Sequence, residues 1–313
     1  MSRGETGRHG GSLPIRGVAP RGGEGLDPRR HPCRPDLACE TLRGIVPADR
    51  YVTGTRCQIV RATVPLRARP DLSAGMDTEL LFGETVVQFE DNGEGWAWVQ
   101  AESDDYVGYI PTDSLAQPNQ SSTHRVRVPR TFRYPGPDMK LPPVDGLSMG
   151  SLVSVASNAS TRGTDYAVLD DGTAIVAAHL EPLDVVAPDY VAVAETMIFA
   201  PYLWGGRSAF GLDCSGLVQL SMGMAGIDVP RDTDMQERSV GEAIAGHWRD
   251  AALKRGDLVF WKGHVAILVD SATIIHANGH SMTVAREPLR DAVDRIARLY
   301  AKPTSVRRPS AVR

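Results

Sequence analysis

The chain has 313 residues, of which 42% are hydrophobic, and its formal net charge is −4. This length predicts two or three compact domains, and the acidic and basic residues are interspersed, so we expect no basic surface that would attract nucleic acid. The sequence contains no apolar run typical of a signal peptide or a membrane-spanning helix, and we therefore expect a cytoplasmic protein without a membrane partner.

Residues 1–40 are predicted to form a disordered tail, because the segment is rich in glycine, proline and arginine and has no regular hydrophobic pattern. Cys33, Cys39 and Cys57 lie near His31, but their spacing matches no standard zinc site. The uneven placement of the cysteines also predicts no disulfide framework. We expect neither a metal nor an organic cofactor.

Two small β-barrels are predicted next, at residues 41–117 and 123–185. In each, short strands with alternating apolar residues are separated by turns, as in WAWVQ after DNGEG. Gly83 corresponds to Gly150 at an offset of 67 residues, which indicates two diverged copies of one unit. The polar segment QPNQSST joins the two copies.

A third domain, residues 188–303, has a different pattern. Asp189 precedes apolar residues at helical spacing, and a glycine-rich turn leads into the helical segment CSGLVQLSMGMAGI. The strand-like segments DLVFW, HVAILVD and ATIIHA follow. Helices and strands in one domain predict an α+β fold, and residues 304–313 are predicted to be a frayed tail.

Cys214 is the candidate nucleophile. It begins a predicted helix, and the unpaired amides and dipole of a helix start favour the thiolate, the form that attacks carbonyl carbon. Asp213 and Ser215 flank the thiol with polar groups. The alternative is a buried cysteine that packs as a small hydrophobic side chain.

Two histidines lie where they can assist this thiol. His264 begins one strand of a predicted hairpin and His276 ends the other, so the two side chains are expected to meet across the strand pair. We assign His264 as the base and His276 as the group that orients it, because nucleophilic catalysis needs both. His280 and Asn278 compete with His276 for the orienting role.

The motifs PYLWGGRSAFGLDCSGLVQ, VPRDTDMQ, RGDLVFW, GHVAILVD and IIHANG, in this order, resemble the NlpC family of cell-wall cysteine peptidases. The resemblance implies a papain-like α+β catalytic domain preceded by two SH3-like β-barrels. It also implies that Cys214, His264 and His276 form a catalytic triad.

Family members with SH3-like domains ahead of the catalytic domain are γ-D-glutamyl-L-diamino acid endopeptidases of the dipeptidyl-peptidase VI type. The resemblance therefore implies a murein tripeptide or tetrapeptide substrate with a free amino-terminal L-alanine, cut to release L-Ala-D-Glu. It implies substrate contacts at Ser215, Thr233, Glu84 and Tyr106. Asp213 and Asp232 are further predicted contacts, and Tyr202 is a candidate for lining the cleft. We expect Asp213 to be the first acceptor for the ammonium group of the substrate.

These expectations together predict an enzyme that recycles cell-wall fragments in the cytoplasm. One alternative is an exported or phage-type hydrolase that acts on intact peptidoglycan and uses its barrels to bind the wall. Another is a protein that binds muropeptides without cleaving them.

Overall fold

The computed structural model describes residues 25–118, 120–246, 249 and 252–310. The amino-terminal segment contains the parallel strands β1 (Leu37–Cys39) and β2 (Arg50–Val52). Leu37 and Leu42 are buried against the first barrel, in a cluster that includes Trp98. The prediction of a disordered tail is therefore wrong for residues 25–40, because these apolar side chains have a surface to pack against. Residues 1–24 lie outside the described residues.

The first barrel consists of seven strands: β3 (Thr55–Ile59), β4 (Thr63–Leu66), β5 (Thr78–Leu81), β6 (Thr85–Asp91), β7 (Trp96–Ala101), β8 (Val107–Pro111) and β9 (Leu115–Ala116). Five of them form an antiparallel sheet in the order β8-β7-β6-β3-β9, and β4 pairs with β5. Alternate side chains of these strands fill a core of their own.

The second barrel contains eight strands: β10 (His124–Val126), β11 (Arg130–Arg133), β12 (Asp145–Ser148), β13 (Leu152–Val153), β14 (Val155–Thr161), β15 (Thr164–Leu169), β16 (Ala174–Val176) and β17 (Leu180–Pro182). Gly83 and Gly150 occupy equivalent turns, with φ of 81° and 87°. Glycine adopts this left-handed conformation without strain. At Gly83 a Cβ atom would also lie 2.0 Å from the carbonyl oxygen of Leu152, so this glycine permits the close contact between the two barrels.

In its described residues, the third domain contains four helices and eight strands: α1 (Tyr190–Glu195), β18 (Arg207–Ser208), β19 (Gly211–Leu212), α2 (Cys214–Met224), α3 (Thr233–Ser239), β20 (Glu242–Ala243), β21 (Leu258–Trp261), β22 (His264–Leu268), β23 (Thr273–Asn278), β24 (Thr283–Pro288), α4 (Leu289–Leu299) and β25 (Ser305–Arg308). Six strands form an antiparallel sheet in the order β20-β25-β21-β22-β23-β24. No helix in the described part of the chain is long and apolar enough to cross a bilayer.

The carboxyl-terminal strand corrects a second prediction. Residues 304–313 were expected to fray, but β25 lies inside the six-stranded sheet, between β20 and β21. Val306 is buried there, and Arg308 forms an ion pair with buried Asp257. The short pattern SVRR has one buried apolar residue, which is too weak a signal to predict a strand from sequence.

Buried polar contacts fasten the first barrel to the catalytic domain. The backbone amide of Arg207 on β18 donates to the carboxylate of Glu79 on β5 at 3.0 Å. The guanidinium group of Arg207 forms an ion pair with Glu84 at 2.5 Å, and both side chains are about 9% exposed. The barrel and the catalytic domain are thereby held so that both contribute residues to one cleft.

Candidate active site

Cys214 is the first residue of α2, and its side chain is buried. Asp213 caps this helix by accepting a hydrogen bond from the amide of Gly216 at 2.7 Å. The Sγ atom lies 3.8 Å from the hydroxyl oxygen of Thr233, and the amide of Val265 on β22 also interacts with the thiol. The nucleophile therefore lies between α2, α3 and the strand that carries the candidate base.

The electrostatic environment of the thiol differs from the sequence-based expectation. Burial, followed by the neighbouring carboxylate of Asp213, raises the pKa of Cys214 to about 11. The amide of Val265 and the hydroxyl of Thr233 act in the opposite direction but do not outweigh burial. We therefore expect the free enzyme to hold a neutral thiol that loses its proton to a base when it attacks.

His264 and His276 meet across the hairpin formed by β22 and β23. The register pairs Ile267 with Ile275, and Nε2 of His264 lies 2.8 Å from Nδ1 of His276. Burial and then the neighbouring His276 lower the pKa of His264 to about 3. At neutral pH the imidazole of His264 is thus uncharged, and one of its two ring nitrogens is able to accept a proton.

Two further side chains extend this pair, and the sequence analysis missed both. Glu287 at the end of β24 lies with Oε1 2.7 Å from Nε2 of His276, and Arg295 on α4 donates to both carboxylate oxygens of Glu287. Their identification needs the register of β23 with β24, in which His276 pairs with Ala285. The only local sequence signal was an acidic residue eight positions before an arginine.

The other two candidates for the orienting role lie elsewhere. Asn278 accepts hydrogen bonds from the amides of His280 and Ser281, at 3.0 Å and 2.8 Å, and so stabilises the turn after β23. His280 is exposed in that turn. His276, which is 1% exposed, is the residue that contacts His264.

A cleft of about 370 Å³ opens next to Cys214, which is large enough for a small ligand. Twelve residues from all parts of the chain except the second barrel line it: Arg29, Asp77, Tyr106, Tyr202, Trp204, Asp213, Cys214, Ser215, Asp232, Thr233, Asp234 and Gly263. Five of the six predicted substrate contacts are among them, as is Tyr202.

Glu84 is the predicted contact that the structure places elsewhere. Its carboxylate is bound to Arg207 and accepts the amide of Leu81 at 2.8 Å. It is not among the cleft-lining residues of the described chain. Asp77, seven positions upstream and just before β5, supplies the barrel carboxylate in the cleft instead.

Asp213 lines the cleft, but its carboxylate already accepts five hydrogen bonds. Oδ2 accepts from the amide of Gly205 and from Arg231, and Oδ1 accepts from the amide of Gly216, the hydroxyl of Ser215 and Arg231. A carboxylate has about four acceptor sites. The expectation that Asp213 is the first acceptor for the substrate ammonium group is therefore not supported by its contacts.

Asp77 and Asp232 form an acidic wall in the cleft, on the side of Tyr106. The hydroxyl of Tyr106 donates to Oδ2 of Asp232 at 3.1 Å. Burial raises the pKa of both carboxyls, and the charge of Asp232 raises that of Asp77 further. Two partly buried carboxylates that repel each other are stabilised by a cation placed between them.

Arg29 comes from the amino-terminal segment that was expected to be disordered. Its guanidinium group donates to Asp232 at 2.8 Å, to Asp234 at 2.9 Å and to Asp27 at 2.7 Å. It lines the cleft, so the amino-terminal segment forms part of the cleft wall. Its charge helps to keep Asp232 ionised, because it counteracts the rise in pKa that burial causes.

We predict that Arg231→Met destabilises the protein by about 3–5 kcal/mol, because Arg231 is 1% exposed and its loss leaves Asp213 buried without its cation. Urea denaturation measures this change. Arg61→Met, which removes an exposed pair with Asp113, is the matched control and is expected to change stability by less than about 0.5 kcal/mol. Equal effects of the two variants would contradict the prediction.

The described residues contain no group of three or more His, Cys, Asp or Glu side chains arranged to hold a metal ion. The cleft is lined by the thiol of Cys214 and by carboxylates, and the pair of His264 and His276 lies on the strands next to the thiol. A cysteine at the start of a helix, packed against an antiparallel sheet that carries the histidines, defines the papain-like class of cysteine hydrolases.

Comparison with known proteins places the chain within this class. Residues 200–298 match the NlpC/P60 family, and residues 66–115 match the bacterial dipeptidyl-peptidase SH3 domain. The chain therefore carries a bacterial SH3 domain followed by an NlpC/P60 domain, and it is an enzyme of the cysteine peptidase type. The α+β and SH3-like expectations are confirmed, while the boundaries of the predicted domains stay predictions.

The matches to two curated relatives cover most of the length of each relative. The chain is 25% identical over 239 residues to dipeptidyl-peptidase 6 of Lysinibacillus sphaericus, covering 70% of this chain and 86% of the relative. It is 26% identical over 224 residues to gamma-D-glutamyl-L-lysine dipeptidyl-peptidase of Bacillus subtilis, covering 64% of this chain and 72% of the relative. Both matches are long enough to include more than the catalytic domain.

Solved structures agree with this fold. A crystal structure of an NlpC/P60 family protein from Bacillus cereus superposes with a TM-score of 0.68 at 20% identity, covering 82% of this chain and 99% of that one. An NlpC/P60 endopeptidase from Photobacterium damselae subsp. piscicida gives a TM-score of 0.56 at 16% identity, over 82% of this chain and 72% of that one. At these identities the likeness concerns the fold alone.

Proposed function

We propose that the protein hydrolyses the bond between γ-D-glutamate and a diamino acid in murein peptides that begin with a free L-alanine, and releases L-Ala-D-Glu. The observation that carries this proposal is the acidic wall of Asp77 and Asp232, which lies in the same cleft as Cys214. A free ammonium group fits this wall, because Asp77 forms no ion pair in the described residues and Asp232 is paired with Arg29 through Oδ2 alone. The printed names of the relatives, dipeptidyl-peptidase and gamma-D-glutamyl-L-lysine dipeptidyl-peptidase, favour the same substrate class.

In the proposed reaction, His264 takes the proton of the Cys214 thiol as the sulfur attacks the γ-carbonyl carbon of D-glutamate. The backbone N–H of Cys214, at the start of α2, stabilises the oxyanion. When the C–N bond breaks, His264 gives its proton to the leaving amine of the diamino acid. A thioester between L-Ala-γ-D-Glu and Cys214 remains.

In the second half of the reaction, His264 removes a proton from water, and the oxygen attacks the thioester carbon. The C–S bond breaks, the sulfur recovers a proton from His264, and L-Ala-D-Glu leaves with a free γ-carboxylate. No group besides water is consumed. The enzyme returns to the neutral thiol and neutral imidazole of the free state.

The cleft suits a substrate that is recognised by its free amino terminus. The acidic wall binds the ammonium group of L-alanine, and Cys214 reaches the carbonyl carbon at the far side of the next residue. Ser215 and Thr233 also line this cleft. An amino group that is acylated has no charge, and its bulk would displace it from the wall, so we expect such peptides to be poor substrates.

The test compares L-Ala-γ-D-Glu-meso-diaminopimelate with its N-acetylated form and with intact sacculi, using mass spectrometry to identify the products. We expect the free tripeptide to release L-Ala-D-Glu at a rate at least roughly 100-fold above the rate at which the N-acetyl peptide releases N-acetyl-L-Ala-D-Glu. The L-lysine tripeptide identifies the preferred diamino acid. Lysis of sacculi without cleavage of the tripeptide would contradict the proposal.

A requirement for a free amine also favours a role in recycling released wall fragments, and we propose the cytoplasm as its location. Cell fractionation with an antibody against the full chain tests this point. Recovery in the medium or in the wall fraction would favour the exported wall hydrolase instead. The alternative of a protein that binds muropeptides without cleaving them predicts no product in any of these assays.

A further inference from the structure

A continuous chain of hydrogen bonds connects the candidate base, His264, with Arg295 on α4. His264 Nε2 and His276 Nδ1 are 2.8 Å apart, and His276 Nε2 and Glu287 Oε1 are 2.7 Å apart. Arg295 donates to both oxygens of Glu287, at 2.6 Å to Oε1. The four side chains come from β22, β23, β24 and α4 in turn, so three adjacent strands at one side of the sheet and the helix after them hold the arrangement.

The donors in this chain can be assigned from its far end. Burial favours the protonated form of Glu287, but the hydrogen bonds from Arg295 and His276 outweigh this effect and lower its pKa to about 2. An ionised carboxylate only accepts hydrogen bonds, so His276 must carry its proton on Nε2. The Nδ1 atom of a neutral His276 then carries no proton, and it accepts a hydrogen bond from the Nε2–H group of His264. His264 is left with an unprotonated Nδ1.

We infer that Glu287, held by Arg295, is a positioning residue that fixes the tautomers of both histidines and leaves Nδ1 of His264 free to take the thiol proton of Cys214. This inference rests on the catalytic roles proposed above for Cys214 and His264. It adds two residues to the three predicted from sequence. Glu287 acts through His276 and does not touch the substrate cleft in the described residues.

The surroundings of the pair contain no competing partner for this role in the described chain. The groups that face His264 are His276, Glu287 and Arg295, and the ring of Trp261 lies 5.5 Å away at an angle of 44°. The Trp261 ring has no charge. Among these groups of the described chain, Glu287 stabilises a proton on His264, while His276 and Arg295 oppose it.

The direct test measures the tautomers by long-range ¹H–¹⁵N NMR of ¹⁵N-histidine-labelled full-length protein at pH 8, with His264→Gln and His276→Gln used for assignment. We expect the Nε2–H tautomer for both residues in the unmodified protein and a mixture in Glu287→Gln, whose amide either accepts or donates. This readout needs no substrate, so an error in the proposed substrate leaves it unaffected. A doubly protonated His276, or unchanged tautomers in the variant, would overturn the inference.

The second test measures the rate at which iodoacetamide alkylates Cys214, followed by peptide mass spectrometry, across pH 2–10, a range that includes the low pKa of His264. We expect Glu287→Gln to slow alkylation at neutral pH about 10- to 100-fold, which is the usual effect of removing a group that orients a functional histidine through a hydrogen bond. The acid limb of the profile should move to lower pH, since loss of the carboxylate removes the group that stabilises a proton on His264. A variant that lost rate without any shift of the limb would indicate a structural role only.

Arg295→Met is the second variant, and Glu195→Gln is the matched control. Arg295→Met should raise the pKa of Glu287 and slow alkylation mainly at acidic pH, where the carboxyl then becomes protonated. Glu195 forms ion pairs with Arg286, the neighbour of Glu287 on β24, and with Arg255. Glu195→Gln is expected to leave the tautomers and the alkylation profile unchanged, and an equal effect of both glutamate variants would refute the proposal.

Discussion

Cys214→Ala is expected to lower kcat for the tripeptide at least about 10³-fold, because no other group in the cleft can form the thioester. The substitution removes one buried sulfur, and we expect the protein to remain folded, with a loss of stability of about 1 kcal/mol. Release of L-Ala-D-Glu measures the activity, and circular dichroism during thermal unfolding measures the fold. Binding of the tripeptide, measured by calorimetry, should persist.

Cys33→Ser is the matched control for this result. Cys33 is a free cysteine of the amino-terminal segment and is only half-buried. We expect its substitution to leave kcat unchanged. If Cys214→Ala retained the turnover of the unmodified protein, neither the nucleophile nor the proposed mechanism would stand.

Asp232→Asn is the second variant with a large expected effect. We expect kcat/KM for the tripeptide with a free amino group to fall about 10- to 100-fold, because a hydrogen bond to a charged group contributes about 1.5–3 kcal/mol. The N-acetyl tripeptide should be cleaved at its already low rate by both proteins. The measured quantity is therefore the ratio of the two specificity constants.

Asp77→Asn should reduce the same ratio, and the double variant should reduce it further. Asp113→Asn is the control, since Asp113 is an exposed carboxylate of the same barrel. We expect it to leave the ratio unchanged. A uniform loss of activity towards both peptides in Asp232→Asn would show that the acidic wall supports the fold of the cleft and does not recognise the amine.

The features that sequence could predict depend on short stretches of chain. Cys214 begins a helix next to its own capping residue Asp213, and the two histidines lie in one hairpin, so local pattern and hairpin geometry placed them together. The contact between His264 and His276 needed only the register of one strand pair. The NlpC-like motifs lie in the same region.

The features that sequence could not predict depend on how distant elements dock. Glu287 required the register of an additional strand, and the contact of Glu84 with Arg207 required the docking of the catalytic domain against the turn before β6. Arg29 is separated by 203 residues from Asp232. Sparse apolar residues among prolines and arginines concealed the packing of its segment.

Three regions of the chain line the cleft, and the residues proposed to recognise the substrate come partly from other regions than the residues proposed to react with it. Asp77 and Tyr106 belong to the barrel and Arg29 to the segment before it. Cys214, the two histidines and Glu287 all belong to the catalytic domain. A catalytic domain without the barrel would retain Cys214, the two histidines and Glu287 and would lose Asp77, one of the two carboxylates of the acidic wall. The proposed function therefore predicts that replacement of the preceding barrel changes substrate choice while the chemistry stays intact, and that proteolysis between the two makes a selective enzyme indiscriminate.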